Sequence, residues 1–162
     1  MTPHTPGPSL PPDIRAALDA HTTMTLAYAD EDGPQACAVL YAVAAGPVGP
    51  ALVFVTSVTT RHGRALSGGE GRVAFTAQRD GQEWSALTGL QGRGTCRRLE
   101  GEERAAAWDA YRARYPYVEQ TERLRQAMER TDLWELRPDW LRLIDNAKRF
   151  GHKSEWDVTT RH

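Results

Sequence analysis

The stretch FVTSVTTRHGRAL, residues 54–66, places hydroxyl side chains and cations where an apolar run ends and a helix is expected to begin. Cations are mildly unfavourable in the first turn of a helix, which carries the positive end of the helix dipole. The hydroxyls of Thr56, Ser57 and Thr60 can donate hydrogen bonds to an oxyanion. The guanidinium of Arg61 can add a charge-assisted pair, and the helix-start amides are further donors. The pattern therefore predicts a phosphate site between this strand and this helix.

The same residues also admit a plain structural interpretation. Thr59 or Thr60 is a suitable N-cap, and Arg61 and Arg64 would then extend into water. The stretch is not a phosphate loop of the GxxxxGK[ST] type, and SGGEGR at 67–72 lacks the spacing and context of a dinucleotide fingerprint. From the residues alone, both interpretations stay open.

The composition indicates a single globular domain. The chain has 162 residues, 40% of them hydrophobic, and a formal net charge of -1; this length usually means one domain. The near-neutral balance argues against a general nucleic-acid-binding protein, which would carry a strong basic excess. We expect the pair Arg97–Arg98 to be solvated surface.

The sequence predicts no membrane contact. No apolar run approaches the roughly 20 residues that span a bilayer. The start MTPHTPGPSLPP lacks the charged and apolar regions of a signal peptide, and we interpret residues 1–12 as a flexible, proline-rich leader. The expected localisation is cytoplasmic.

Cysteine and histidine spacing predicts no metal site. Cys37 and Cys96 form no CxxC pair, and two reduced thiols are expected, with a bridge left open as the alternative. The five histidines form neither an HExxH motif nor another recognisable ligand spacing.

Short apolar runs separated by glycine-containing turns predict a mainly β fold. The expected strands are TTMTLAYA, QACAVLYAVA, ALVFVTS, RVAFTAQ, EWSALTGLQGRGTCRRL, LWELRP and WLRLIDN. Pro138 separates the last two, and glycines are expected to bend or bulge the fifth. Turns are predicted at Asp32–Gly33, Gly46–Pro50 and Asp80–Gly81, and helices at 12–20, 60–66, 100–116 and 118–130. Strands and helices do not alternate regularly, which favours a small antiparallel barrel with helical insertions.

Three stretches, in this order, resemble the FMN-binding split barrels of the pyridoxamine 5′-phosphate oxidase-like family. They are the hairpin DEDGPQACAVLYAV, the strand–turn–helix FVTSVTTRH and the strand GLQGRGTCRRLEGEE that enters a helix. The tail IDNAKRFGHKSEW and the RLEGEE run are most similar to the YhbP-like subgroup. The resemblance implies one six-stranded antiparallel split-barrel domain over residues 13–157, a C-terminal tail at 158–162, and a homodimer with cofactor at its interface.

The resemblance also implies three groups of cofactor contacts: residues at the phosphate, residues whose backbone lies under the isoalloxazine ring, and a donor to the polar edge of the ring. They are, in order, Val55, Thr56, Ser57, Thr60, Arg61 and His62; Cys37, Ala38, Val39 and Leu40; and Gln91. His62 stands where many members have lysine, which weakens a cationic contact at neutral pH. On the substrate side the C-terminal segment offers Phe150, Lys153 and Trp156, with plain packing as the alternative.

The implied function is that of an FMN-dependent oxidoreductase of unknown substrate, with NADH or NADPH as reductant. The Arg-x-His-Asp-Arg signature of the true pyridoxamine-phosphate oxidases has no match, and Cys37 replaces an arginine found in them, so that reaction is not expected. Two alternatives stay open: a protein that holds FMN or haem without turnover, and a scaffold whose phosphate site is vestigial.

Overall fold

The computed structural model of the chain describes residues 9–46 and 49–158, which contain seven strands and four α-helices. The strands are β1 (Thr23–Asp30), β2 (Gly33–Gly46), β3 (Gly49–Val55), β4 (Arg72–Gln78), β5 (Thr88–Arg98), β6 (Leu133–Asp145) and β7 (Lys153–Asp157). The helices are α1 (Pro12–Ala20), α2 (Arg61–Gly68), α3 (Gly101–Arg114) and α4 (Glu122–Arg130). Two short 3₁₀ turns lie at Trp84–Ala86 and Pro116–Glu119.

The strands form one antiparallel sheet in the order β3-β2-β1-β4-β5-β6-β7. A further pairing of β3 with β6 closes the first six strands into a barrel. On the same edge of β6, β3 pairs with Leu133–Leu136 and β7 pairs with residues 140–144. The predicted mainly β antiparallel barrel is confirmed, and β7 is an additional seventh strand of the sheet.

The barrel interior holds the main core. Inward and outward residues alternate along the strands, so that Val73, Phe75 and Ala77 of β4 are buried while their neighbours are exposed. Helix α1, with proline in its first turn as predicted, adds the fully buried Ile14 and Leu18 to this core. A second cluster packs under α3 and is formed by Ala42, Val53, Leu99, Ala107, Tyr111, Tyr115, Val118 and Leu133.

The predicted break between the last two strands at Pro138 is wrong. β6 continues through Pro138, and its register with β5 shifts: Arg93 faces Trp140 whereas Gly94 faces Pro138, which leaves Asp139 as the extra residue. A β-bulge of this kind accommodates a proline without ending the strand. The irregularity predicted for the glycine-rich fifth strand falls opposite its glycines, but the bulged residue, Asp139, belongs to β6.

Two other boundaries also differ from the prediction. β5 begins at Thr88 rather than at Glu83, because a 3₁₀ turn precedes it. The helix expected from Val118 begins only at Glu122, because the hydroxyl of Thr121 caps it by accepting a hydrogen bond from the Leu124 amide at 3.1 Å.

Parts of three predictions fall outside the described residues. The predicted leader at 1–12 is described only from residue 9, where Leu10 packs against the core, and of the tail at 158–162 only residue 158 is described. The predicted turn at Gly46–Pro50 contains residues 47–48, which also lie outside. Across the described ranges, no helix combines the length and the apolar character that a membrane span requires.

Candidate phosphate site at the start of helix α2

The end of β3 positions the candidate site. Thr56 is buried; its amide donates to the carbonyl of Asp132 at 3.1 Å, and its carbonyl accepts from Trp134 Nε1 at 3.0 Å. The Val58 amide donates to the carboxylate of Asp132 at 3.0 Å. Contacts with the start of β6 therefore fix the backbone of this turn before α2 begins.

Thr60 is the N-cap of α2. Its hydroxyl accepts a hydrogen bond from the Gly63 amide at 3.1 Å and donates to the carbonyl of Ser57 at 2.8 Å. The hydroxyls of Ser57 and Thr59 lie 2.8 Å apart. The capping interpretation of the sequence is confirmed for Thr60, and the hydroxyls of this turn are already engaged with one another and with the backbone.

His62 reaches back to the end of β3. Its Nε2 lies 2.5 Å from Oγ1 of Thr56, and the Thr56 and Thr60 hydroxyls are 3.2 Å apart. The Tyr28 ring of β1 stands beside the imidazole, with 6.4 Å between the ring centroids. Burial lowers the pKa of His62 below its usual value, so the imidazole is neutral at pH 7. We call Thr56, Thr60 and His62 the hydroxyl–imidazole cluster.

Arg61 points away from this cluster, towards the β1–β2 turn. Its Nε donates to Asp30 at 2.8 Å, and its Nη2 is hydrogen-bonded to Asp32. The Asp30 side chain is only 7% exposed, and its hydrogen bond with Arg61 lowers its pKa. The chain's own carboxylates thus supply negative charge at the helix start, where the sequence analysis had predicted a bound oxyanion.

A cavity of about 570 Å³ adjoins Arg61 between α2 and the β1–β2 turn. The charged residues lining it are Asp30, Glu31, Asp32, Arg61 and Arg64. Arg64 also donates to the Thr59 carbonyl. Because three carboxylates face two guanidiniums, an anion would enter this space only by competing with the carboxylates for Arg61.

The four residues predicted to lie under the ring alternate between two faces of β2. Ala38 and Leu40 are on the outer face of the barrel, whereas Cys37 and Val39 pack against the core. Cys37 and Cys96 are free thiols, so the alternative of a disulfide bridge is wrong. Burial raises the pKa of Cys37, and raises that of Cys96 to about 12, which disfavours thiolate chemistry at both.

Gln91 lies on the same outer face as Ala38 but far from it. Register partners place Ala38, Thr25, Thr76 and Gln91 in one row across β2, β1, β4 and β5. Three strand spacings separate the ends of this row, about 14 Å along the sheet. Within one chain, therefore, Gln91 does not reach the backbone that was predicted to lie under the ring.

The three residues of the predicted substrate side separate in the structure. Trp156 is 8% exposed and belongs to the barrel core, opposite Leu141 in the pairing of β7 with β6. Lys153 is exposed at the start of β7, and Phe150 is 80% exposed in the β6–β7 turn, where its ring contacts that of Trp84. Packing is thus the observed role of Trp156, and Phe150 and Lys153 remain accessible.

Sequence reasoning missed the acidic partners of Arg61. In the run DEDG, Asp30 ends β1 and Asp32 lies in the two-residue turn, and this run was interpreted as part of a hairpin without regard to its charge. An acidic turn was the available sign that the cations after β3 have partners within the chain. Among the described residues, no group of three or more potential ligands forms a metal site.

The arrangement suits the binding of a phosphate group more than acid–base catalysis. It offers clustered hydroxyls, the first amides of a helix, a neutral imidazole and a guanidinium whose partners include the exposed Asp32. These groups fit the donor set that a phosphomonoester requires, provided that Arg61 exchanges at least one carboxylate for the ligand.

Comparison with known proteins places the chain in a family. The sequence pattern of the family described as pyridoxamine 5′-phosphate oxidase matches residues 10–145. A relative, the protein YhbP of Escherichia coli O157:H7, is 35% identical over 106 residues, which make up 65% of this chain and 66% of YhbP. The aligned part is thus just under two thirds of the length of that relative.

Solved structures share the fold. A heme binding protein from Mycobacterium smegmatis has a TM-score of 0.70 at 22% identity, and the match covers 89% of this chain and 56% of that protein. HutZ, a heme storage protein from Vibrio cholerae, has a TM-score of 0.61 at 20% identity, with 81% and 91% covered. At these identities the likeness shows the fold alone.

Proposed function

The chain belongs to the pyridoxamine 5′-phosphate oxidase family, and from this premise we propose that it is a dimeric FMN-binding protein that acts as a flavin-dependent oxidoreductase. The predicted similarity to the YhbP-like subgroup is confirmed. The observation that carries the proposal is the hydroxyl–imidazole cluster, in which Oγ1 of Thr56 lies 2.5 Å from Nε2 of His62 and 3.2 Å from Oγ1 of Thr60. Arg61 stands between Thr60 and His62 in the sequence.

In this proposal the turn after β3 and the start of α2 hold the FMN phosphate. Thr56 and Ser57 donate through their hydroxyls, the amides of the first turn of α2 point outward, and Arg61 supplies the charge. The bound flavin would supply hydride transfer, while the chain binds it, orients it and excludes water. Arg61 has to turn from the exposed Asp32 towards the phosphate, which lowers the net affinity of the site.

A second copy of the chain would complete the site. The outer barrel face carries small side chains on adjoining strands, among them Ala36 and Ala38 of β2 and Ala27 of β1, beside the partly exposed Leu40. A smooth face of this kind suits close contact with an identical face across a two-fold axis. Because Gln91 lies too far from Ala38 in the same chain, we propose that Gln91 of the partner subunit reaches the polar edge of the ring.

The proposed reductant is NADH or NADPH, and pyridoxamine phosphate is not the proposed substrate. The departures at Cys37 and at the substrate signature support this exclusion. Within the described residues, the site contains no set of nucleophile, base and orienting acid, which fits a reaction whose chemistry belongs to the cofactor.

A second candidate function is the holding of FMN or haem without turnover. The proteins of similar fold that are named for heme binding and heme storage favour this candidate. So does the local charge balance, because Arg61 is already paired with two carboxylates and makes a weak anion site.

The absorbance spectrum of the purified protein, followed by titration with FMN and with haemin, separates these candidates. A flavin spectrum, or saturable binding of added FMN, supports the proposal, and loss of flavin colour on adding NADH or NADPH without oxygen supports the enzyme over the carrier. A Soret band with no flavin binding favours the haem protein. Failure of both ligands to bind or to shift the melting temperature would overturn both candidates.

Replacing Arg61 by alanine tests where the phosphate lies. Loss of one charge-assisted contact is expected to weaken FMN binding about 10- to 100-fold. Arg64→Ala is the matched control, since Arg64 lies on the same helix and donates to the Thr59 carbonyl. An unchanged dissociation constant for Arg61→Ala would show that the phosphate lies elsewhere.

A further inference from the structure

A cavity of about 470 Å³ lies between α3 and the hairpin formed by β2 and β3, and we call it the α3 groove. It is separate from the site at the start of α2, and it uses a different part of β2 from Ala36 and Ala38, where dimer contact is proposed. Most of its lining is aliphatic, and most of these side chains are alanines. They are Ala44, Ala45 and Ala51 from the hairpin and Ala106, Ala107 and Ala110 from α3.

The alanines account for the open space. Ala44 and Ala51 are register partners on the hairpin, while Ala106 and Ala110 are one turn apart on α3 and therefore lie on the same face of the helix. Farther along α3, the large side chain of Tyr111 packs into the second core cluster. Methyl groups on both facing surfaces leave a gap that larger side chains would close.

One end of the α3 groove is acidic. The charged residues that line it, among those that the structure describes, are Glu102, Glu103 and Glu135. Arg97 holds two of them close together, because its Nε donates to Glu135 at 2.8 Å and its Nη2 is hydrogen-bonded to Glu103. The hydrogen bond from Arg97 lowers the pKa of Glu103, so this carboxylate is ionised at neutral pH.

Glu135 presents its carboxylate to the groove from the sheet. Its side chain is only 6% exposed, and Val53, its register partner on β3, also lines the groove. Arg97 and Arg137 both donate to Oε1 of Glu135, which leaves the lone pairs of Oε2 for a further donor. A nearly enclosed carboxylate oxygen of this kind favours a cationic donor, because charge-assisted hydrogen bonds are the stronger ones.

We propose that the α3 groove is a binding site for a small aliphatic molecule that carries a primary ammonium group. The hydrocarbon part contacts the alanines, and the ammonium donates to Oε2 of Glu135 and to the carboxylate of Glu102. An ammonium has three donors, which suits two carboxylates that approach from different elements. The site contains none of the residues proposed to hold FMN, and the inference does not rest on the proposed function.

Probes with one six-carbon chain and different head groups test the site: hexylamine, 1-hexanol and hexanoate. Calorimetric titration of the full-length protein at pH 7 is expected to show hexylamine binding about tenfold more tightly than 1-hexanol, and hexanoate binding most weakly. Butylamine should bind more weakly than hexylamine, by up to about fourfold for each missing methylene group. Equal binding of hexylamine and 1-hexanol, tighter binding of hexanoate, or no binding of any probe would overturn the proposal.

Filling the groove tests its place in the fold. Ala110→Leu puts a larger side chain into the space between α3 and the hairpin, and it should lower the affinity for hexylamine about tenfold or more. Ala105→Leu is the matched control, since Ala105 is exposed on the same helix and is not part of the lining. Hexylamine binding that survives Ala110→Leu, or falls equally in the control, contradicts the proposal. Thermal melting shows that each variant is folded.

Charge variants identify the partners of the ammonium. Glu102→Gln and Glu135→Gln should each lower the affinity for hexylamine towards that of 1-hexanol. Glu102 is exposed and forms no ion pair with another described residue, so its variant decides the question if Glu135→Gln fails to fold. Glu31→Gln is the control, because it removes a carboxylate from the acidic cavity beside Arg61. An affinity that falls in Glu31→Gln but not in Glu102→Gln would place the amine in that cavity and overturn the proposal.

Discussion

At the scale of single residues, two kinds of anion can pair with the guanidinium of Arg61. The sequence places Arg61 at a helix start, where it can bind an external anion, and the fold brings Asp30 and Asp32 of the β1–β2 hairpin into contact with it. Asp30 is almost enclosed, whereas the Asp32 side chain is 67% exposed. The exposed partner is the one that a phosphate displaces more easily, because water replaces the lost contact.

Replacing Asp32 by asparagine should therefore strengthen FMN binding. Removing a competing, exposed partner of Arg61 is expected to raise the affinity about two- to fivefold, in line with the value of surface ion pairs. Fluorescence titration with FMN measures the change. Glu31→Gln removes the same charge from the same cavity but leaves the ion pairs of Arg61 with Asp30 and Asp32 in place, and it is the control for the general field. Equal effects of the two variants would contradict competition at Arg61.

His62 should make FMN affinity depend on pH. Burial lowers its pKa in the free protein, and a phosphate dianion beside it favours the imidazolium and raises that pKa. Binding is then accompanied by proton uptake, so affinity should rise as pH falls from about 7.5 towards 5.5. In the His62→Gln variant only the titration of the FMN phosphate itself remains, so the pH profile of this variant serves as the reference. Identical pH profiles for the wild type and His62→Gln would place His62 away from the phosphate.

His62 also affects the folding stability of the free protein, and there a fall in pH has the opposite effect to its effect on FMN binding. Its lowered pKa means that the unfolded chain takes up a proton more readily than the folded one. Its contribution to stability is therefore full above about pH 6.5 and is lost as pH falls through the lowered folded value. Without FMN, acid should thus weaken the fold, while with FMN the same proton strengthens the complex.

At the scale of elements, the pairing of β5 with β6 is where glycine has a definite steric role. A Cβ placed on Gly94 would lie 2.3 Å from the Arg137 carbonyl oxygen, beside the bulge at Asp139. A Cβ placed on Gly89, on the same strand, would make only ordinary contacts, at 3.6 Å from Gln78 Cβ and 3.9 Å from the Ala77 carbonyl oxygen. The strand therefore requires glycine at position 94, beside the bulge, and tolerates a side chain at position 89, which lies away from it.

Gly94→Ala should destabilise the protein. Forcing a methyl group into this backbone contact is expected to cost about 1–3 kcal/mol, which lowers the melting temperature by roughly 2–12 °C for a domain of this size. Gly89→Ala is the matched control and should melt within a degree or so of the wild type. Thermal unfolding followed by circular dichroism measures both. Equal melting temperatures would show that the bulge relaxes without strain.

The elements also show what the sequence could and could not predict. Strands flanked by glycine turns and the proline-started helix were predictable from local patterns, since each depends on residues close in the chain. The continuity of β6 through Pro138 was not, because it depends on Gly94 of a strand more than 40 residues away in the sequence. At the site, the cap at Thr60 followed from spacing, whereas the pairing of Arg61 with Asp30 joins separate elements and has no local signal.

At the scale of the whole molecule, the outer face of β2, β1 and β4 separates two parts of the proposed cofactor site, which lie on β2 and at Gln91 of β5. The small residues of this face lie between Ala38 at one end of the row and Gln91 at the other. A two-fold axis through such a face would bring Gln91 of the partner subunit towards Ala38 and Leu40, which no rearrangement within one chain achieves.

Mixing two variants that are each defective in FMN binding tests whether the site is shared between subunits. Arg61→Ala and Gln91→Ala are each expected to bind FMN weakly as homodimers. If Gln91 acts across the interface, a heterodimer contains one site with both wild-type residues, so an equal mixture after subunit exchange should regain tight binding at about a quarter of its sites. Ala36→Arg, which places a charge on the same face outside the predicted cofactor contacts, should lower the dimer fraction in sedimentation, whereas Ala105→Arg on α3 should not. If heterodimers form but tight binding does not return, each chain builds its site alone. In that case each site of the heterodimer still lacks either Arg61 or Gln91, and assembly restores neither.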